Sequence, residues 1–423
     1  MDSFYDRALS EVGQDGIFQT KFDIIYNVVF AALWAMAYNN IILALTVTPH
    51  VCRFPKKPDN MSEYLWKLKY IPTVEDAAGG VKFSDCLVYA SPENNITEGC
   101  HMYDYDKTWF ETTVPSENDW VCEKDLYVAN TFAYSKIGET VGSLFFGWFG
   151  DVKLIESPQW LWVNGESKKC IQKLKHIAKL NKTKLGPDTE NELLTSGPAI
   201  TSNHTSNAEV LGALALFSGW RLAINTILQL LLWVSVSINY TVVLMSSAEK
   251  SNGNPFLDFA WQSLAEIPGF FIGSWLADRI GRRYTGIISS ALTTFIWIVY
   301  GCREISNTLW LKSEWLSTFL VITNRLTITV SYYIINLFNM ELYPTCLRQS
   351  GMSLGNVVSG GAGALAPYVL YLGRRFDDRY PYAILIVTTL FGGVLTSFFL
   401  PETLNVKLPE TLEDAQRFGR RSR

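Results

Sequence analysis

The stretch from Phe256 to Arg283 constrains the chain most. Its apolar run closes with Phe270-Phe271-Ile272-Gly273-Ser274-Trp275-Leu276-Ala277, stops at Asp278-Arg279-Ile280-Gly281-Arg282-Arg283, and gives way to a second apolar run at Tyr284. Backbone that meets hydrocarbon must hydrogen-bond to itself, and a helix needs about 20 apolar residues to cross. Both flanks approach that length, so the pattern predicts two membrane helices joined by a tight basic turn. Arginines crowded into so short a loop place it on the cytoplasmic side by the positive-inside rule. Gly281 lets the turn close. Two soluble helices around a basic turn are excluded by the length and apolarity of both flanks.

Of 423 residues, 48 % are hydrophobic, with 24 Phe, 20 Tyr and 14 Trp, yet the mean hydropathy is only +0.10. A polytopic membrane protein with sizeable polar loops reconciles the two. The net charge of −4 leaves no basic footprint for nucleic acid. Met1 to Lys21 is acidic and polar and carries no secretory signal, so the first helix is expected to act as its own signal. Cys52, Cys86, Cys100 and Cys122 fall in one polar segment, while Cys170, Cys302 and Cys346 are scattered. Clustered cysteines in an exoplasmic loop imply two disulfides, with three pairings open. A zinc site competes, but no Cys-x-x-Cys spacing supports it, and neither metal nor cofactor is expected.

Taken in order, residues 1–23 read as a cytoplasmic N-terminus, 24–48 as the first transmembrane helix, and 49–126 as an extracellular cysteine-rich loop. Tyr38-Asn39-Asn40 interrupts the first helix, and asparagine at membrane depth is expected to face a cavity or a neighbouring helix. The loop carries acceptor sequons at Asn60 and Asn95, consistent with glycosylation on the outer face. Its length predicts a small disulfide-held domain. Residues 127–149 form the second span, with Lys136 and Glu139 on one helix face. A structural ion pair is the first reading there, and a proton or substrate role the competing one. Residues 150–219 read as a cytoplasmic loop rich in lysine, in which Ile171, Leu174, Ile177 and Ala178 recur at helical spacing. Sequons at Asn181 and Asn203 would go unused there. Residues 220–400 supply six spans, near 222–246, 256–277, 284–301, 315–338, 350–372 and 382–400, and 401–423 is a cytoplasmic tail. Small residues from Ser359 to Ala364 permit close helix contact or a bend. The loop Arg374-Arg375-Phe376-Asp377-Asp378-Arg379 then faces outward against the charge rule, with its aspartates offsetting part of the excess.

Several motifs now align. Glu156-Ser157-Pro158-Gln159-Trp160-Leu161, Asn254-Pro255-Phe256, Glu266-Ile267-Pro268, Asp278 to Arg283, Glu341-Leu342-Tyr343-Pro344-Thr345, Leu400-Pro401-Glu402-Thr403-Leu404 and Leu408-Pro409-Glu410-Thr411 stand in one order. With the cysteine-rich loop, they resemble the organic cation/anion/carnitine transporter family of the major facilitator superfamily across nearly the whole chain. That resemblance implies an all-α membrane fold, here with about eight transmembrane helices instead of twelve. Asp151 and Glu156 are almost adjacent, whereas the family sets four helices between the corresponding motifs. Family helices three to six are therefore expected to be missing, as in an alternatively spliced product or an incomplete gene model.

The resemblance implies a multi-pass plasma-membrane carrier of small organic ions that works by alternating access. Trp233 and Tyr240, seven residues apart on one helix face, match positions whose rings contact substrate in the family. Aromatic faces suit organic cations, although an interfacial or packing role competes for each ring. Arg325 matches a basic family position, Asn39 a polar one, and Glu266 is Arg325's expected partner or a cation-binding group. Gly360 stands where cation carriers hold aspartate and anion or zwitterion carriers hold arginine, so substrate charge stays open. Asp151, Asp278, Arg279, Gly281, Arg282, Arg283, Glu341 and Arg348 form the expected gating motifs, in which charge-assisted bonds latch one conformation. The rival reading is a transport-inactive membrane protein that self-associates or regulates a full-length sibling. An enzyme is the weakest reading, because no Gly-x-Ser-x-Gly, Walker A or His-Glu-x-x-His motif occurs. The histidines, His50, His101, His176 and His204, are all expected in loops.

Overall fold

The computed structural model of the chain describes residues 4–13, 16–55, 62–75, 81–91, 94–153, 158–163, 166–195, 213–249, 254–305, 314–377, 379–406, 409 and 412–418. It divides into two compact units, Met1–Ile41 with Phe146–Val210 and Ile42–Phe145 with Leu211–Arg423.

The chain opens with α1 (Phe4–Val12) and α2 (Ile17–Ala44), the latter π-wound over Ile24–Phe30. Short strands follow: β1 (His50–Cys52), β2 (Thr73–Glu75), β3 (Val81–Phe83), β4 (Leu87–Ser91), β5 (Asn94–Gly99) and β6 (Tyr103–Tyr105). Helix α3 (Glu63–Tyr70) lies between β1 and β2, capped by Ser62, whose hydroxyl accepts the Leu65 N–H. Three antiparallel pairs form, β1 with β6, β2 with β3, and β4 with β5. Disulfides join Cys52 to Cys100 and Cys86 to Cys122, with Cα separations of 5.7 and 5.6 Å inside the usual range. His50 Nε2 lies 3.8 Å from Cys122 Sγ, but the Cys86 and Cys122 sulfurs are bonded to each other and offer no thiolate to a metal. His50 is on β1 rather than in a loop. Tyr105 donates to Asp119, and burial together with that bond pushes its phenol above the usual range. Asn95 lies on β5; Asn60 and Asn203 fall outside the described residues.

Beyond the loop run α4 (Leu126–Lys153), α5 (Ser167–Asn181), α6 (Pro187–Thr195), α7 (Trp220–Glu249), α8 (Pro255–Leu264) and α9 (Glu266–Ile280). They are followed by α10 (Arg282–Ile305), α11 (Glu314–Leu342), α12 (Thr345–Gly363), α13 (Ala366–Arg375), α14 (Arg379–Phe399) and α15 (Leu412–Arg417). Among the described residues five helices are long and apolar enough to cross a membrane: Ile17–Ala44, Trp220–Ser246, Arg282–Arg303, Trp315–Leu342 and Arg379–Phe399. The expected span at 127–149 lies within α4, which carries Lys136 and Glu139. The spans expected at 256–277 and 350–372 are each two helices, with breaks at Ala265 and at Ala364-Leu365. One cause serves both. Pro268 and Pro367 stand four residues after Leu264 and Gly363, cannot donate to those carbonyls, and crowd them with the ring. Asn254 caps α8 by accepting the Phe256 and Leu257 N–H groups at 3.0 and 3.4 Å, and Pro255 fits the first turn, where no donor is needed.

The second unit has the solvation pattern of hydrocarbon rather than water. Phe271, Trp275, Phe295, Phe319 and Phe399 are each at least 60 % exposed, while Gln229, Asn239, Asn324 and Asn339 are buried. Polar side chains inside bond from helix to helix: Thr293 donates to Thr327 at 2.9 Å, Ser331 to Ser289 at 2.9 Å, and Trp297 to Asn239 at 2.8 Å. Lipid supplies no hydrophobic force between helices, so close packing and such bonds hold them together.

In the first unit, Ala8 and Val12 of α1 bury against Leu161, Cys170, Ile171, Leu174, Ala178 and Leu193. The helical spacing read in the sequence is thus the inner face of α5, with Ile177 half-buried beside it; His176 sits on the exposed face of the same helix, not in a loop. Asn181 donates to the Val12 and Gly13 carbonyls at 3.0 and 3.1 Å and accepts the Phe18 N–H at 2.8 Å. Burial pushes the Cys170 thiol up to about 11, which makes it inert.

Candidate functional site

Two charge clusters stand out in the second unit. The first lies at mid-helix depth. Trp233 and Tyr240 share a face of α7, and Tyr332 of α11 reaches both rings, at 6.0 Å edge-on to Trp233 and 6.4 Å stacked on Tyr240. Two donors converge on one carboxylate oxygen: Arg325 Nε lies 2.8 Å from Glu266 Oε1, and the Tyr240 hydroxyl lies 3.2 Å from it. The Arg325 guanidinium also sits 5.6 Å from the centre of the Phe259 ring. Arg325 is buried at 3 % side-chain exposure and Glu266 is more open at 23 %, so the carboxylate faces whatever space adjoins the pair. An arginine cannot shed its charge in so dry a place, and this pairing is what permits it.

Trp233 is itself buried, its indole Nε1 without a hydrogen-bond partner among the described residues. Gly355 allows α12 to approach it, since a Cβ at 355 would lie 2.5 Å from Nε1. Gly360 is explained by its neighbour: a Cβ there would overlap Thr140 Oγ1 of α4. One turn along, Lys136 pairs with Glu139 at 2.9 Å, and a Cβ at Gly363 would meet Ser237 and the Lys136 stem. The Ser237 hydroxyl also donates to the Ser359 carbonyl at 2.7 Å, so the small-residue run is a contact seam as well as a bend.

The second cluster forms around the basic turn. Gly281 has φ +97°, which favours glycine, and a Cβ there would press against the Glu402 carboxylate. Glu402 caps α10, accepting the Arg282 and Arg283 N–H groups at 2.9 and 3.1 Å. Arg282 reaches Glu341 through Nε and Nη2 at 3.2 and 3.1 Å, and Asp278 at 3.4 Å. Thr403 donates to the other Glu341 oxygen. This network ties the end of α9, the start of α10, the end of α11 and the segment after α14. Arg283 lies 4.8 Å over the Phe398 ring, Arg279 is exposed, and Arg348 stands apart with its Nε unpartnered among the described residues.

At the opposite ends of these helices, Arg374 pairs with Asp125 at 3.0 Å and Tyr368 donates to Asn130 at 2.8 Å. Burial pushes the Asp125 carboxyl up by more than Arg374 pulls it down. Arg374 therefore finds its counter-charge at the start of α4, in addition to the aspartates beside it in sequence. Asn39 belongs to the first unit, half-buried on α2, and Asp151 lies in the last turn of α4 with its side chain outside the described set.

Tyr332, Phe259, Thr140, Glu402 and Thr403 were not singled out from the sequence as site residues. Tyr332 lies seven residues after Arg325 and so shares its helix face, a signal present in the spacing. Glu402 was visible in the Pro-Glu-Thr motif, but its role as a cap depends on a residue 120 positions away.

A helical bundle with an apolar exterior, a hydrogen-bonded polar interior and a charge network at the basic turn is the architecture of a polytopic membrane protein. The chain belongs to the family described as sugar (and other) transporter, which residues 152–414 match. It is 30 % identical over 283 residues to solute carrier family 22 member 1 of Bos taurus, covering 66 % of this chain and 46 % of that protein. It is 27 % identical over 292 residues to member 21 of Mus musculus, covering 66 % and 47 %, and 29 % identical over 266 residues to member 2 of Rattus norvegicus, covering 63 % and 45 %. These relatives support the organic cation/anion/carnitine transporter family of the major facilitator superfamily, which the motifs resemble. The chain spans about half the length of the relatives it matches.

Proposed function

We propose that the chain moves small organic ions across the plasma membrane by alternating access. One observation carries the reading: Arg325 and Tyr240 converge on Glu266 beside the Trp233 and Tyr332 rings, inside a lipid-solvated bundle. Intramembrane charges mark substrate and ion pathways. In the empty site Glu266 and Arg325 neutralise each other. A substrate ammonium group competes for Glu266 and lies against aromatic faces, while a substrate carboxylate competes for Arg325. A zwitterion such as an amino-acid derivative replaces both halves of the pair at once and leaves no charge uncompensated. Gly360 adds none of its own. The Arg282, Glu341 and Asp278 network serves as the latch on the cytoplasmic side, and Arg279, Arg283, Arg348 and Asp151 are the other charged gating candidates. Loop 49–126 then faces outward, disulfide-held, with Asn60 and Asn95 as glycan acceptors, and Asn39 is a polar group on the first helix.

The length favours a second reading. Alternating access needs two halves that rock about the site, and the sequence places almost no chain between Asp151 and Glu156. We infer that family helices three to six are absent, in which case the chain associates with a full-length carrier or with itself and regulates transport. Uptake into vesicles that contain only this chain separates the two readings. Uptake inhibited most by zwitterionic probes supports the first. Inhibition by anions alone overturns the zwitterion assignment. No uptake above empty vesicles, together with altered uptake when a full-length relative is co-reconstituted, establishes the second.

A further inference from the structure

We propose that Glu139 of α4 is a further substrate-contacting residue, a second carboxylate that takes the ammonium group of an organic ion beside the Tyr332 ring. The inference rests on the proposed function, with α4 crossing the membrane, and it assigns a charge that the Glu266 and Arg325 pair does not include.

Contacts along α4 fix the depth of Glu139. Asp125, just before the helix, meets Arg374 at 3.0 Å, and Asn130 accepts the Tyr368 hydroxyl at 2.8 Å. Further along, a Cβ at Gly363 would lie 3.7 Å from the Lys136 stem, and one at Gly360 would overlap Thr140. The partners thus run from residue 374 down to 360 as α4 runs up from 125 to 140, so α4 lies antiparallel to α12 and α13. Glu139 falls beside the last of these contacts, at the midpoint of the 28-residue helix. From there Glu139 and Lys136 both act electrostatically on the Tyr332 hydroxyl. Tyr332 is the residue whose ring meets Trp233 and stacks on Tyr240, and Tyr240 in turn donates to Glu266. Two stacked tyrosines therefore link a carboxylate on α9 to a carboxylate on α4.

The two carboxylates differ in how open they are. Glu266 Oε1 already receives Arg325 and Tyr240, and Arg325 is too deeply buried for water to replace a lost counter-charge. Glu139 is 46 % exposed. Lys136 Nζ meets its Oε2 at 2.9 Å, while its Oε1 has no hydrogen-bond partner among the described residues. Lysine is a compact charge on a flexible stem and can shift aside without leaving the carboxylate's field. An ionised carboxylate that stands half-open at mid-membrane depth is too costly against acyl chains, so the space it opens to is aqueous. A carboxylate and an aromatic face on one aqueous space hold an organic ammonium group from two directions, by charge and by the ring's negative face.

The test is equilibrium binding of radiolabelled tetraethylammonium, glycine betaine and benzoate, a cation, a zwitterion and an anion, to the purified full chain in detergent. E139Q should weaken tetraethylammonium and betaine about tenfold, a loss of about 1.4 kcal/mol, and leave benzoate unchanged. E139D, which keeps the charge, should retain most of the affinity. K136Q removes the competing cation and should tighten tetraethylammonium, whereas a pair that served only to hold the helix would lose affinity in both variants. Should E139Q fail to fold, K136Q decides: tightening supports the assignment and weakening overturns it. Native affinity for tetraethylammonium in E139Q, with E266Q weakened, overturns the role of Glu139 and leaves the proposed function standing. A native chain that binds none of the three probes overturns both.

Discussion

Replacing Arg325 with methionine should unmask how strongly Glu266 depends on it. In the native protein Glu266 Oε1 receives Arg325 Nε at 2.8 Å and the Tyr240 hydroxyl at 3.2 Å. R325M leaves Tyr240 as the remaining donor to a carboxylate inside the bundle. Removing one partner of a fully buried pair costs about 3–5 kcal/mol. Arg325 is 3 % exposed but Glu266 is 23 %, and hydration of the carboxylate brings the figure down to about 2–3 kcal/mol. E266Q should cost a similar amount, since it removes the carboxylate charge that Arg325 Nε meets at 2.8 Å. The double variant E266Q/R325M carries no uncompensated charge and should cost no more than either single change, which gives an interaction energy of about 2–3 kcal/mol. Reversible unfolding of the purified protein, titrated with dodecyl sulfate and followed by tryptophan fluorescence, measures all four corners of the cycle. If the two single costs add to within about 0.5 kcal/mol, the charges do not meet and the reasoning fails.

Gly355→Ala should destabilise the protein by about 1–3 kcal/mol in the same titration, because the new methyl meets Trp233 Nε1 at 2.5 Å inside a packed helix pair. Gly360→Asp should cost a comparable amount, and Thr140→Gly in the same chain should restore part of it; a loss indifferent to residue 140 would show that α4 does not set this position. Peptide mapping without reduction should recover Cys52 linked to Cys100 and Cys86 linked to Cys122, and replacing either pair should cost about 2–5 kcal/mol of loop stability. Glu11 is a pH-sensitive contact among the described residues of the first unit: the Thr189 hydroxyl, then the Gly186 N–H, hold its carboxyl below its ordinary 4.5. A depressed folded pKa contributes stability that is complete above 4.5 and is lost as pH falls through the folded value. Hydroxyl-radical footprinting of residues 4–12 should therefore be flat at neutral pH and rise only in acid, and E11Q should abolish the acid-induced rise.

Much of the fold was legible because it depends on solvation along one dimension. Apolar runs, the basic turn, the amphipathic face of α5 and the cysteine cluster are local patterns, and each reports the medium that surrounds it. The two broken spans were legible in principle, since Pro268 and Pro367 stand in the sequence, yet hydropathy averages across them and conceals the missing donors. Glu266 and Arg325 were expected as partners because an intramembrane arginine needs a counter-charge, not because anything in the sequence measured their separation.

By itself, then, the sequence determined which segments leave water, where the positive charge collects and which chemical groups are available at membrane depth. Tertiary structure alone decided who meets whom: which cysteines pair, that Tyr332 joins Trp233 and Tyr240, that Thr140 occupies the space at Gly360, and that Glu402 caps a helix 120 residues before it. The reason is physical. Transfer from water is nearly additive over neighbouring residues and can be read locally, whereas a hydrogen bond or steric exclusion falls off within a few ångströms and exists only once distant segments have been brought together.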